Sequence, residues 1–269
     1  LSGSFLDQKG LLRHGTDKFQ RYTLNSKITA NITDWLKVTL NSKWTREDFQ
    51  RPTYLTSSFF HNLARKWPVH PAYDPNGFPM DEGEIEQMEN GGEQNSQKDY
   101  YTNQLHVVIE PIKNWRINLE GSVRTTTQYQ HWEVLPVHAY DVNGDPYYTV
   151  WDMGYGSYSA GSSRVDEYSW KENYYTTNIY SDYFKQFDNG HYFKVMAGFN
   201  AELYKKGGLT GFGTDLITPS VPELNTTQDN KNAYNSASEL AIAGFFGRIN
   251  YNYKERYLLE ANLRYDGSS

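Results

Sequence analysis

The sequence predicts an all-β protein, an antiparallel wall whose strands cross a membrane. Three observations carry that expectation. Apolar and polar side chains alternate over many runs, the connections between runs alternate in length, and the chain is hydrophilic yet rich in aromatic residues, with a mean hydropathy of −0.78 and 16% Phe, Trp and Tyr. Successive side chains on a strand point to opposite faces, so period-two alternation gives a strand with one apolar and one polar side. A helical membrane protein needs runs of about 18 or more apolar residues, and no such run occurs. Disordered chains are poor in aromatics. A membrane β-wall needs only alternate residues to be apolar, and it places Tyr and Trp where lipid meets water. A soluble all-β protein shares this composition, so the connections have to decide between the two.

Taken in order, residues 1–8 form a short first strand and 9–17 a loop with two glycines. In the next run Tyr22, Leu24, Ile28, Ala30 and Ile32 share one face against Arg21, Thr23, Asn25, Lys27 and Thr29. A tight turn at Thr33-Asp34-Trp35 leads to Leu36, Val38, Leu40 and Trp44 opposite Lys37, Thr39, Asn41 and Lys43. A second hairpin sets Tyr101, Leu105, Val107 and Ile109 beside Trp115, Ile117, Leu119 and Val123, turning at Pro111-Ile112-Lys113-Asn114. A third pairs Tyr175, Ile179 and Tyr183 with Phe193, Val195, Ala197 and Phe199 through Asp188-Asn189-Gly190, where Asn-Gly is a strong tight-turn signal. The last joins Phe245, Gly247, Ile249, Tyr251 and Tyr253 to Tyr257, Leu259, Ala261, Leu263 and Tyr265 through Lys254-Glu255-Arg256. Long polar segments are expected over 46–98, 125–168 and 203–236. About nine strands result, with short turns near Asp34, Asn114, Asn189 and Glu255 and long loops between. Soluble meanders have no reason to keep their long loops on one side, whereas outer-membrane barrels have short periplasmic turns and long extracellular loops.

The final stretch, FFGRINYNYKERYLLEANLRYDGSS, resembles the barrel signature of SusC/RagA-type TonB-dependent outer-membrane transporters of Bacteroidetes. The resemblance rests on Phe246-Gly247-Arg248, Tyr253-Lys254, Arg256-Tyr257-Leu258-Leu259 and Arg264 with Asp266-Gly267-Ser268-Ser269. Residues 32–38, 191–200 and 216–225 are similar to an early hairpin, a mid-barrel strand and the segment before that signature. The resemblance implies that residues 1–269 are part of a barrel domain of about 22 strands. The plug, the N-terminal extension and the remaining strands then lie outside this sequence. It further implies TonB-dependent import of a large nutrient, a glycan or an oligopeptide, with a SusD-like surface lipoprotein as partner and TonB-ExbB-ExbD acting through the plug. Outward faces would meet lipid. Arg248, Glu260, Asn262 and Arg264 would face the lumen and plug. Two alternatives remain at this stage, a soluble β-rich carbohydrate-binding protein or glycoside hydrolase, and a passive porin.

No catalytic constellation is expected. There is no cysteine, no His-x-x-x-His pair, no P-loop and no nucleophile elbow. The acidic run from Asp81 to Glu86 reads as a solvated loop before it reads as an acid/base pair. Two segments echo each other, Ala72-Tyr73-Asp74-Pro75-Asn76-Gly77 and Ala139-Tyr140-Asp141-Val142-Asn143-Gly144. Asp-x-Asn-Gly could offer oxygen ligands to calcium in an extracellular loop, but its glycine is fourth rather than sixth, which favours a tight turn. The net charge of −6 argues against nucleic acid as a partner. The loop aromatics Trp132, Tyr140, Tyr147, Tyr148, Trp151, Tyr155 and Tyr158 are the candidates for contacting a sugar, a peptide or a partner.

Overall fold

The computed structural model describes residues 1–80, 84–141, 143–149, 151–152, 157–158 and 160–269. Among these, nine strands form one antiparallel sheet in sequence order. They are β1 (Ser2–Lys9), β2 (Lys18–Thr33), β3 (Leu36–Pro52), β4 (Glu93–Ile112), β5 (Trp115–Val134), β10 (Arg164–Gln186), β11 (His191–Leu216), β12 (Thr227–Tyr253) and β13 (Tyr257–Ser268). Helices α1 (Ser57–Arg65) and α2 (Ile85–Asn90) lie between β3 and β4. The small ribbons β6 (His138–Tyr140) with β7 (Pro146–Tyr148), and β8 (Trp151–Asp152) with β9 (Ser157–Tyr158), lie between β5 and β10.

All four expected tight turns form, and they share one end of the sheet. Asn114, Gly190, Lys254 and Glu255 have positive φ there, as such turns require. Register locks the faces. Ala30, Val38, Val107, Leu119, Ile179, Phe199, Phe245 and Tyr265 are partners in one unbroken row across eight strands. One residue along, Asn31, Lys37, Val108, Asn118, Tyr180, Gly198, Phe246 and Arg264 form the row of the opposite face.

Exposure runs against the rule for soluble sheets. On the apolar face Ile28, Ile179, Ile249 and Phe245 are exposed, whereas Asn118, Asp182 and Asn200 on the other face are buried. The polar face is the concave one, because side chains two strands apart meet on it. Tyr180 of β10 and Phe246 of β12 face each other across Gly198 of β11, with ring centroids 6.5 Å apart. A Cβ at Gly198 would lie 2.4 Å from the Phe246 ring, so the close approach needs glycine there. The Lys98 ammonium likewise reaches the Trp170 ring across β5.

The apolar stretch of each strand begins at the tight-turn end and stops partway. It runs from Tyr183 back to Tyr175 on β10 and from Trp115 to Val123 on β5. About 9–11 residues is what a tilted strand needs to span a bilayer. Aromatic residues mark the turn end of this band, including Trp35, Trp115, Tyr257 and Phe193, and the Trp115 indole donates to Ser181 Oγ at 2.8 Å.

The strands then continue well beyond the band, which corrects the expected loops. Residues 46–52 belong to β3, 93–98 to β4, 125–134 to β5, 164–168 to β10, 203–216 to β11 and 227–236 to β12. Polar residues dominate both faces through most of this height, so no regular apolar alternation marks these strands. The connections themselves are 53–92, 135–163 and 217–226. They are packed rather than open. Tyr54, Phe59, Met88, Val134 and Val137 make a small buried core, with Leu12, Leu55 and Trp132 against it. Among the described residues, every buried apolar side chain lies at this loop end.

Candidate functional site

Two surfaces carry chemistry, the concave polar wall and the loop end above it. Near the tight turns the wall is a network of paired charges. Arg116 donates to Asp182 Oδ2 at 2.8 Å, and Lys194 approaches the same carboxylate at 3.8 Å. Arg248 donates to Asn262 Oδ1 at 2.6 Å, and Asn262 in turn donates to Glu260 Oε1 at 2.7 Å. Arg264 bonds Asp266 and reaches Asn200 Oδ1. All four residues expected on the lumen side therefore lie on the concave polar face, three of them bonded to one another and Arg264 to Asp266 and Asn200. Arg116 and Asp182 belong to the same network and were not singled out from the sequence. Their signal is weak there, since each is one of many polar alternate residues and only register makes them partners.

The loop end is tied down by hydrogen bonds from several elements. Thr53 Oγ1 donates to the Glu133 carbonyl at 2.6 Å, and the Thr53 and Leu135 amides donate to the carbonyls of Gly92 and Gly91. His131 sits between Glu167, at 2.6 Å from Nδ1, and Glu133, at 3.1 Å from Nε2. The bond to Glu133, then that to Glu167, favours the protonated ring and outweighs the opposing effect of burial, raising its pKa to about 9.

The echoed segments fold alike. Asp74 Oδ1 accepts the amides of Asn76 and Phe78, and Asp141 Oδ1 accepts those of Asn143 and Asp145. The latter bonds, from Asp145 first, hold the Asp141 carboxyl below its ordinary range. The two turns also touch, since Phe78 stacks on Tyr140 with centroids 4.3 Å apart and planes 16° from parallel.

The aromatic candidates thus divide. Trp132 packs on the buried loop core and Tyr140 on Phe78. Tyr147 and Tyr148 stay half exposed, with Tyr148 against His138 at 4.4 Å. Tyr155, and the side chains of Trp151 and Tyr158, lie outside the described residues, as do Asp81 and Glu82. No group of three or more His, Asp or Glu side chains is arranged for a metal among the described residues.

No family model matches the sequence. Over 129 residues it is 28% identical to the TonB-dependent receptor SusC of Bacteroides thetaiotaomicron, a stretch covering 42% of this chain and 12% of that protein. Among solved structures, 98% of the chain superposes on 29% of a chain of the RagAB peptide importer in its open-open state, with a TM-score of 0.79 and 17% identity. The closed-closed state of that importer gives 0.77 and 16%. In fold, this chain is like a barrel segment of the RagAB importer, and part of its sequence is similar to SusC. It spans less than a third of the length of each relative. A barrel wall of that fold would turn its apolar convex face to lipid, which matches the inverted exposure of this sheet. These relatives are a receptor and a peptide importer rather than enzymes.

Proposed function

We propose that the whole protein imports a large nutrient, an oligosaccharide or an oligopeptide, across the outer membrane in a TonB-dependent step, together with a SusD-like surface lipoprotein. The observation that carries this reading is a sheet with a bilayer-high apolar convex face, a charged concave face and long packed loops at one end only. A soluble carbohydrate-binding protein would bury the row from Ala30 to Tyr265 instead of exposing it. The similarity to SusC supports TonB coupling, and the likeness to the RagAB peptide importer supports an oligomeric cargo.

The test is to purify the complete protein from native outer membranes and identify what co-purifies by mass spectrometry. Cargo uptake is then measured with and without TonB. The expected result is a stoichiometric surface lipoprotein, a bound oligomer, and uptake that stops without TonB. Recovery in the soluble fraction, or uptake indifferent to TonB as in a passive porin, would overturn the proposal.

A further inference from the structure

Charge on the concave face is unevenly distributed. Near the tight turns Arg116 is paired with Asp182, Arg248 with Glu260 and Arg264 with Asp266. Higher up, three successive rows of this face between β2 and β12 break the balance. They contain Arg21, Lys43, Lys98, Arg124 and Lys206, and against these five cations only Glu47 and Glu172. The belt therefore carries an excess of three positive charges in a chain whose net charge is −6.

Its height is fixed by register. Asn25 pairs with Lys43 directly beside Leu24 with Trp44, which tops the apolar stretch on β2 and β3. The belt thus begins level with the outer edge of the bilayer band and rises toward the loop end. Around Arg21, Lys43 and Arg124 the face forms an open cavity of about 610 Å³ whose other walls are hydroxyl and amide groups such as Thr23, Asn25 and Thr102, with Glu47 as the one carboxylate among them. Glu47 accepts from Tyr100 and Glu172 from Tyr204, so both acids have neutral donors as well as cations about them. Lys98 and Lys206 lie over the Trp170 ring, at 5.4 and 4.5 Å, and Arg124 lies over Tyr174. Arg21 and Lys43 make no ion pair among the described residues. A concave wall focuses the field of such charges into the lumen, and a guanidinium beside an ammonium suits a carboxylate.

We propose that this belt is a selectivity site for carboxylate-bearing oligomers, acidic oligosaccharides or acidic peptides, at the outer mouth of the import path. The proposal rests on the importer reading above and adds the charge of the cargo to it.

The experiment is isothermal titration of the complete purified transporter with hexagalacturonate and hexaglutamate, each against its neutral counterpart, maltohexaose and hexaglutamine. At low ionic strength at least one anionic oligomer is expected to bind about tenfold or more tightly than its neutral counterpart. The member of the pair that does so distinguishes a sugar cargo from a peptide cargo. The preference is expected to collapse at about 0.5 M salt and in Arg21→Gln/Lys43→Gln, while Gln104→Ala, on the same face but outside the belt, keeps it. Equal binding of charged and neutral oligomers, a preference that survives the double substitution, or no binding of any of the four overturns the belt. Co-purification and TonB dependence decide the importer reading separately. The heat-modifiable mobility of the folded barrel confirms that the double variant is assembled.

Discussion

Ile179→Lys separates a lipid-facing wall from a soluble one by the size of its effect. Ile179 lies midway along the apolar stretch of β10, between Tyr175 and Tyr183, with Leu119 and Phe199 as register partners. It is 45% exposed. A half-exposed strand position facing water tolerates lysine within about 0.5 kcal/mol. Facing hydrocarbon at mid-depth, the same change costs about 2–4 kcal/mol, and near either interface only about 0–1. The central substitution should therefore lower the folded-to-unfolded ratio by about 30- to 700-fold. Tyr175→Lys and Tyr183→Lys, at the rims of the band, should change it by no more than about fivefold. Gln104→Lys on the concave face supplies the aqueous control. Folded fraction is read from heat-modifiable gel mobility of the complete barrel in phospholipid vesicles across a urea series. A flat profile, with Ile179 no worse than the two rim positions, would refute the assignment of this face to lipid.

Three further outcomes follow from particular contacts. Gly198→Val should destabilise by about 1–3 kcal/mol, because its side chain would collide with Phe246 and with Tyr180 Cβ at 2.6 Å, whereas Gly121→Val enters open space and should be near neutral in the same urea series. His131, with a pKa raised to about 9 from an ordinary 6.5, contributes stability that is complete below about pH 6.5 and lost as pH rises through about 9. The melting temperature of the loop end should accordingly fall between those values, and His131→Gln should flatten the fall. Phe78→Ala removes the ring stacked on Tyr140, so hydrogen exchange at the Asp74 and Asp141 turns should quicken together if the two are one unit, and the second should keep its protection if they are independent.

The turns and faces were legible in the sequence because each is a local event. Asn189-Gly190 names its own hairpin, and a one-residue slip would have moved Ile179 and Phe199 to the wrong face, so alternation fixes register wherever one side is apolar. The upper strands were not legible for the same reason. At Gln94 to Lys98 or Thr125 to Gln130 both faces are polar, and a strand with two wet faces has the composition of a loop. The concave network was legible by face but not by partner. Arg264 and Asp266 share a strand and could be paired by eye, whereas Arg116 with Asp182 depends on two strands far apart in sequence arriving in register. Among the loop aromatics, the part played by Trp132 depends on α1, α2 and 135–137 closing over it, which no local pattern announces.

Strand β10 contains the whole argument for two solvents. At its upper end Val165 has no exposed surface and Asp166 is buried beside Arg164, as in a water-soluble core with a paired charge. Further down the same strand Ile179 and Tyr183 are open to the surroundings while Asp182 is buried. A single aqueous solvent cannot favour both arrangements, since burying Val165 and exposing Ile179 have opposite signs in water. If hydrocarbon surrounds the lower stretch and water the upper, both are favourable. The change falls between Lys171 and Tyr175, at the height where the apolar rows of the neighbouring strands also end, and on that two-solvent reading the edge of the hydrocarbon lies at that level.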